Sequence, residues 1–164
     1  MIYLSKNERE TQKIAGKLAE KIMKGLSARL PPTPRIWRAS RASIITLEGE
    51  LGAGKTTFVK GFAKALRIKA KIKSPTFVLM KKYTIPKNTK YKIQDTKYLY
   101  HLDCYRVRDH RNLVTLDIES LFRSPSNIVL IEWPERVSKI LPKKLIRVHI
   151  DHINSNTRKI TIGW

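Results

Sequence analysis

The chain has 164 residues, of which 34 are Lys or Arg and 13 are Asp or Glu, so its formal net charge is +21. This length predicts one ordinary domain with a buried core. The absence of an apolar run of about eighteen residues excludes a transmembrane helix, and the N-terminal segment turns polar too early for a signal peptide. A single cysteine, Cys104, excludes an intramolecular disulfide framework and a Cys-rich zinc site. We therefore expect a cytoplasmic protein.

The positive charge allows two interpretations. It favours a polyanionic partner such as RNA, an acidic protein surface or a nucleotide. A basic surface that only serves solubility explains the same composition equally well. Because none of the common RNA-binding motifs is present in the sequence, charge alone does not establish direct RNA binding.

The first half of the chain predicts alternating helices and strands. Apolar residues recur at helical spacing over residues 11–26, which indicates an amphipathic helix. Residues 43–47 form an apolar, β-branched run typical of a buried strand, and helical spacing returns after Lys55. Two strand-like runs, residues 77–83 and 98–102, then predict a long hairpin.

The second half predicts a short helix over residues 113–122, a buried strand over residues 127–131 and a hairpin over the C-terminal tail. Two basic stretches without periodicity, residues 28–42 and 86–97, read as surface insertions. No internal repeat is present. The whole chain is therefore predicted to form a single α/β domain that carries two basic insertions.

The strongest motif lies between the strand at residues 43–47 and the helix that follows. Its sequence GELGAGKT, residues 49–56, matches the pattern G-x-x-x-x-G-K-[ST]. A Gly-rich loop in this context turns backbone N–H groups towards anionic oxygens, and the helix N-terminus adds its dipole. Lys55 is then expected to reach the β- and γ-phosphates, and the Thr56 hydroxyl to bind Mg²⁺. We predict a nucleoside triphosphate site; the alternative is a plain Gly-rich turn with an exposed lysine.

Two carboxylates, Asp103 and Glu132, each end an apolar strand-like run. Strands of an α/β sheet open onto a ligand crevice at their carboxyl ends. One carboxylate near Thr56 would suit Mg²⁺, and phosphoryl transfer also needs a group that positions the attacking water. Spacing does not divide these roles between the two. His101 alternates with Asp103 and could face the site, although a satisfied structural histidine is favoured, and Cys104 is expected to pack as a small apolar group.

Five segments in order carry a resemblance to a known family: LEGELGAGKTTF, KSPTF, YHLDCYR, IEWPERV and the LP pair at residues 141–142. This set resembles the TsaE (YjeE) family, small bacterial P-loop ATPases required for forming threonylcarbamoyladenosine on tRNA. The resemblance extends from the N-terminal helix to residue 142. It implies a three-layer α/β P-loop NTPase fold with a mostly parallel central sheet and peripheral antiparallel strands.

The resemblance also implies a role for individual residues. Lys55, Asp103 and Glu132 match catalytic positions. Thr56 and Glu132 match Mg²⁺ ligands, and Asp103 matches an acidic residue linked to hydrolysis. Residues 74–76 resemble a GTPase switch close to the γ-phosphate. The positions implied to bind ATP are Glu50, Leu51, Gly52, Ala53, Gly54, Lys55, Thr56, Thr57, Ser74, Thr76, Trp133 and Glu135, with Glu8 or Thr11 beside the adenine.

The function that the resemblance implies is slow, Mg²⁺-dependent ATP hydrolysis that resets a complex with TsaD- and TsaB-like proteins, with tRNA contacted indirectly. Two other classes remain open. A small-molecule kinase shares the P-loop, and a basic RNA-binding protein could use the nucleotide as a structural ligand. The sequence contains no N-K-x-D guanine motif, which favours adenine.

Overall fold

A computed structural model of the chain describes residues 1–27, 42–87, 96–108, 113 and 116–164. These residues contain seven strands in one sheet: β1 (Ile2–Ser5), β2 (Ser43–Glu48), β3 (Met80–Thr84), β4 (Tyr98–Asp103), β5 (Asn127–Glu132), β6 (Ile146–His152) and β7 (Arg158–Gly163). The helices are α1 (Glu8–Ser27), α2 (Lys55–Ala65) and α3 (Ile118–Arg123), followed by a 3₁₀ segment (Pro134–Ile140).

The sheet is parallel in its centre and antiparallel at its edges. Its strand order is β1-β7-β6-β2-β5-β4-β3. The neighbouring pairs among β6, β2, β5 and β4 are parallel, whereas β1 and β6 both pair antiparallel with β7, and β3 pairs antiparallel with β4. The predicted arrangement of a mostly parallel centre with peripheral antiparallel strands is confirmed.

Alternate residues of the central strands face two separate hydrophobic clusters. In β5, Ile128 and Leu130 pack in the cluster that contains α1 and α2 side chains, whereas Val129 and Ile131 pack in the cluster that contains α3. Burial on both faces explains why these strands read as continuous apolar runs rather than as alternating ones. The result is the expected three-layer arrangement of helices, sheet and helices.

The same alternation turns the polar ends of two strands towards α2. Leu99 of β4 belongs to the α1–α2 cluster, and with a period of two residues His101 and Asp103 share its face. Asp103 lies opposite Glu132 in the register of β4 and β5, and Glu132 lies opposite Leu47 of β2. The carboxyl ends of three parallel strands therefore meet at the N-terminus of α2.

Most predicted elements are confirmed: α1, β2, α2, β5 and both hairpins lie where the sequence indicates. The strand predicted from residue 77 is too long, because Val78 and Leu79 both donate N–H bonds to the Pro75 carbonyl and make a turn before β3. The helix predicted from residue 113 begins at Ile118, behind Asp117 in a left-handed conformation (φ 47°).

Strand β1 and the 3₁₀ segment were not predicted from the sequence. Most of the two basic insertions, residues 28–41 and 88–95, lies outside the described residues. In the part of the chain that the structure describes, no helix combines the length and apolarity needed to cross a membrane.

Candidate functional site

The loop that joins β2 to α2 depends on its glycines. The φ values of Gly49, Gly52 and Gly54 are 135°, 80° and 106°. Residues that carry a Cβ rarely adopt such positive φ values. At Gly49 space is also lacking, since a Cβ would lie 2.4 Å from the Ile150 carbonyl oxygen of β6. The loop is thus pressed against β6, and α2 begins immediately afterwards at Lys55 with its free N–H groups at this point.

Lys55 is buried and folds back onto the loop. Its Nζ donates to the carbonyl oxygens of Gly49 (2.6 Å) and Glu50 (2.8 Å) and lies 3.9 Å from the ring centre of Trp133. Burial lowers the pKa of Lys55, and the neighbouring carboxylates act in the opposite direction. Two of the three ammonium donors are used by the loop. Within the described residues no oxygen accepts from the third, so an anion could bind it, and its negative charge would favour the protonated lysine.

Thr56 and Glu132 meet across the sheet edge. The Thr56 hydroxyl donates to Glu132 Oε1 at 3.1 Å, although 76 residues separate the two in the chain. His101 Nε2 lies 2.7 Å from the same oxygen, and both side chains are almost fully buried. The sequence favours a satisfied structural histidine, and His101 is indeed buried and bonded through Nε2, but its Nδ1 has no hydrogen-bond partner in the described residues and its Nε2 contacts a candidate site residue.

Asp103 contacts a different element. Its Oδ2 accepts hydrogen bonds from the hydroxyls of Ser74 (2.7 Å) and Thr76 (2.5 Å), and its Oδ1 accepts one from the Tyr105 N–H (3.1 Å). The carboxylate therefore ties residues 74–76 to the end of β4. The turn that follows carries Phe77, which is 84% exposed.

Trp133 covers the site from the end of β5. It has a left-handed backbone (φ 59°), and its ring lies 5.0 Å from that of Tyr105, in addition to the Lys55 contact. Glu135, two residues on, is exposed and makes none of these contacts. It lines a cavity of about 860 Å³ beside the loop.

The remaining loop residues border open space. Gly52, Ala53, Gly54 and Thr57 line a second cavity of about 620 Å³ together with Glu8 and Thr11 of α1. Glu50 lines the larger cavity, and Leu51 is 73% exposed. The candidate loop residues thus border two cavities, and the carboxylates Asp103 and Glu132 are buried.

The donor set fits Mg²⁺ better than a softer metal. Thr56 and Glu132 provide oxygen atoms, which this hard cation prefers, usually in combination with phosphate oxygens. Because the Thr56 hydroxyl donates a hydrogen bond to Glu132, the lone pairs of its oxygen remain available to a metal ion. Among the described residues no group of three or more His, Cys, Asp and Glu side chains could hold a metal by itself.

Cys104 lies next to Asp103 but points away from it into the core. It is fully buried in the cluster that contains α3, which confirms the predicted packing role. Burial, reinforced by the nearby carboxylates, raises the pKa of its thiol to about 12. The thiol is therefore a poor nucleophile.

Three contacts at the site were not predicted: His101 with Glu132, the Tyr105 N–H with Asp103, and Arg158 Nε with the Ala53 carbonyl (3.1 Å). The alternation of His101 with Asp103 was the available signal for the first. The other two depend on a loop conformation and on the position of β7, which have no local sequence signature.

Comparison with known proteins agrees with this geometry. The model of the family described as "TsaE: Threonylcarbamoyl adenosine biosynthesis protein TsaE" matches residues 5–160. The chain is 35% identical over 123 residues to the tRNA threonylcarbamoyladenosine biosynthesis protein TsaE of Bacillus subtilis (strain 168), covering 75% of this chain and 70% of that protein. The protein of the same name from Haemophilus influenzae is 38% identical over 112 residues, which cover 68% of this chain and 65% of that protein.

A solved structure shows the same fold. The crystal structure of Bacillus subtilis YdiB superimposes with a TM-score of 0.65 at 27% sequence identity, covering 99% of this chain and 83% of that one. Sequence and fold thus agree: the chain belongs to the TsaE family.

Proposed function

We propose that this chain binds ATP with Mg²⁺ and hydrolyses it slowly as a step in forming threonylcarbamoyladenosine on tRNA. One observation carries the proposal: the two strand-end carboxylates contact different parts of the site. Glu132 contacts Thr56 at the start of α2, whereas Asp103 contacts residues 74–76. A loop that only holds a nucleotide needs no second carboxylate. Hydrolysis needs one group that holds the charge-neutralising metal and another that positions the attacking water.

Binding of the triphosphate falls to the loop and Lys55. The loop N–H groups and the start of α2 would accept the phosphate oxygens, and the third donor of Lys55 would reach the terminal phosphates. Trp133, stacked on the ammonium, restricts where Lys55 can point. The cavity of about 620 Å³ beside Gly52, Thr57 and Thr11 has room for the nucleoside.

Thr56 and Glu132 would hold Mg²⁺, which when bound neutralises charge that develops on the phosphate oxygens. Asp103 has a separate task. Through Ser74 and Thr76 it keeps residues 74–76 against the buried side of the site, and we assign to this unit the orientation of the attacking water.

We also propose TsaD- and TsaB-like proteins as partners. Hydrolysis would reset their complex, and tRNA would be contacted indirectly. Family membership supports this proposal, and the net charge of +21 suits assembly around tRNA. Pull-down from cell extract with and without ATP tests it. Threonylcarbamoyl-transferase proteins should co-purify in a nucleotide-dependent way, and their absence under both conditions would refute the partner assignment.

The activity is tested by following γ-labelled phosphate during a magnesium titration. We expect free phosphate from the wild-type chain, a higher Mg²⁺ requirement for Glu132→Ala, and unchanged hydrolysis for Glu119→Ala, whose exposed carboxylate pairs with Arg123 of the same helix. Label on a small acceptor would instead indicate a kinase. No turnover combined with steeply salt-dependent tRNA binding would indicate an RNA-binding protein.

A further inference from the structure

His101 has a contact that packing alone does not explain. Its side chain is fully buried, and its Nε2 lies 2.7 Å from Glu132 Oε1. The residue directly opposite His101 in the sheet is Leu130, so the contact with Glu132 is diagonal and turns the imidazole towards the strand end.

The hydrogen bond identifies the tautomer of His101. A carboxylate oxygen accepts but does not donate, so Nε2 must carry the proton. Nδ1 is buried and has no partner among the described residues. His101 is therefore assigned as the Nε2–H donor of this hydrogen bond.

Two donors then converge on one oxygen of Glu132. Oε1 accepts from His101 and from Thr56, and within the described part of the chain no hydrogen bond ends on Oε2. We propose that His101 is a positioning residue for Glu132: its Nε2–H holds Oε1 in place so that Oε2 is presented to Mg²⁺. This role rests on the function proposed above.

The physical reason is that Glu132 is 3% exposed and needs donors to remain in place. Thr56 alone provides one hydroxyl on a different element, which must also serve the metal. The imidazole is rigid and fixed in the core, so it restricts the carboxylate to one rotamer without competing for the metal. Groups that orient a metal ligand in this way typically change metal affinity about 10- to 100-fold when removed.

The test compares His101→Leu, which keeps the volume but removes the donor, with His101→Gln, whose amide N–H can take the position of Nε2. Equilibrium binding of the non-hydrolysable analogue AMPPNP is measured across a magnesium titration and in EDTA. We expect the Leu variant to need about tenfold or more Mg²⁺ for half-maximal binding. Its affinity in EDTA should stay within about twofold of wild type, and the Gln variant should recover most of the Mg²⁺ loss.

Three results would overturn the role of His101: an unchanged magnesium requirement in the Leu variant, an equal loss in EDTA, or a Gln variant as weak as Leu. If the wild-type chain shows no Mg²⁺-dependent binding, the proposed function itself fails, which is a distinguishable outcome. A measurement on the wild type does not depend on how the variants fold. Long-range proton–nitrogen NMR correlations, with the His101 ring assigned through its own backbone resonances, should show the Nε2–H tautomer, and an Nδ1–H tautomer would refute the proposal.

Discussion

Replacing Asp103 by Asn separates its charge from its hydrogen bonds. Oδ1 accepts the Tyr105 N–H, so in the variant the amide oxygen must stay on that side. The amide NH₂ then faces Ser74 and Thr76, whose hydroxyls can rotate and accept instead of donating. The segment stays connected to β4, and the fold is expected to survive, but the negative charge is lost.

The size of the effect follows from these contacts. Each of the two hydroxyl bonds changes from charge-assisted, about 1.5–3 kcal/mol, to neutral, about 0.5–1.5 kcal/mol. The connection between Asp103 and residues 74–76 should therefore weaken by about 2–3 kcal/mol. Loss of a water-positioning or base group lowers turnover by about 10²- to 10⁴-fold. ATP affinity should change little, because Lys55 and the loop are untouched.

The assay is ATP hydrolysis across a magnesium titration, alongside equilibrium ATP binding, for Asp103→Asn and Glu132→Ala. Ser74→Ala is the matched control, since it removes one bond to Asp103 but keeps the charge, and it should lose less turnover than Asp103→Asn. Excess Mg²⁺ should partly restore Glu132→Ala and leave Asp103→Asn inactive. The opposite pattern of rescue would reverse the two roles, and normal hydrolysis in both would refute a mechanism with two carboxylates.

Lys55→Ala should lower the ATP affinity measured in equilibrium binding by at least about tenfold, which is about 1.4 kcal/mol. The control is Lys60→Ala, which changes an exposed lysine on the same helix and should bind ATP as the wild type does. If Lys55→Ala binds ATP as tightly as the wild type, the loop is not the site. Burial raises the pKa of the Cys104 thiol from 9.0 to about 12. The thiol should therefore be alkylated at pH 8 about 10³-fold more slowly in the folded chain than in the chain unfolded by guanidinium. Rapid alkylation of the folded chain would contradict the packing of Cys104. Gly49→Ala should lower the free energy of unfolding in denaturant by about 1–3 kcal/mol or more, because Gly49 has a positive φ and an added Cβ would clash with a carbonyl of β6. The control, Gly163→Ala, has free space around the added Cβ and should lose far less. Similar losses in the two variants would refute this explanation.

The sequence was sufficient for elements with a local signal. The loop could be predicted because its glycines, Lys55 and Thr56 are contiguous and lie between a strand and a helix. Strand β1 has no such signal: Ile2 and Leu4 are mostly exposed, and the strand exists because Ile2 pairs with Thr161 at the far end of the chain. The sequence of these four residues alone therefore does not predict the strand.

The candidate site shows the same limit. That Asp103 and Glu132 end strands could be read from the chain, but their partners could not. Glu132 meets Thr56 because β5 lies beside β2, and it meets His101 because β4 and β5 are aligned with Asp103 opposite Glu132. Both facts are properties of long-range register, and a shift of one residue would turn His101 to the opposite face of the sheet.

Register also explains why the two roles can be separated at all. Asp103 and Glu132 are direct neighbours across β4 and β5, and adjacent carboxylates repel unless each has its own donors. Glu132 obtains its donors from α2 and from the core, while Asp103 obtains its donors from residues 74–76 and the Tyr105 N–H. Among the described residues no donor is shared, so without nucleotide the two sides are coupled mainly by the repulsion between the adjacent carboxylates themselves. Mutations on the two sides that keep both carboxylates should therefore be closer to additive in unfolding free energy without ATP than in hydrolysis.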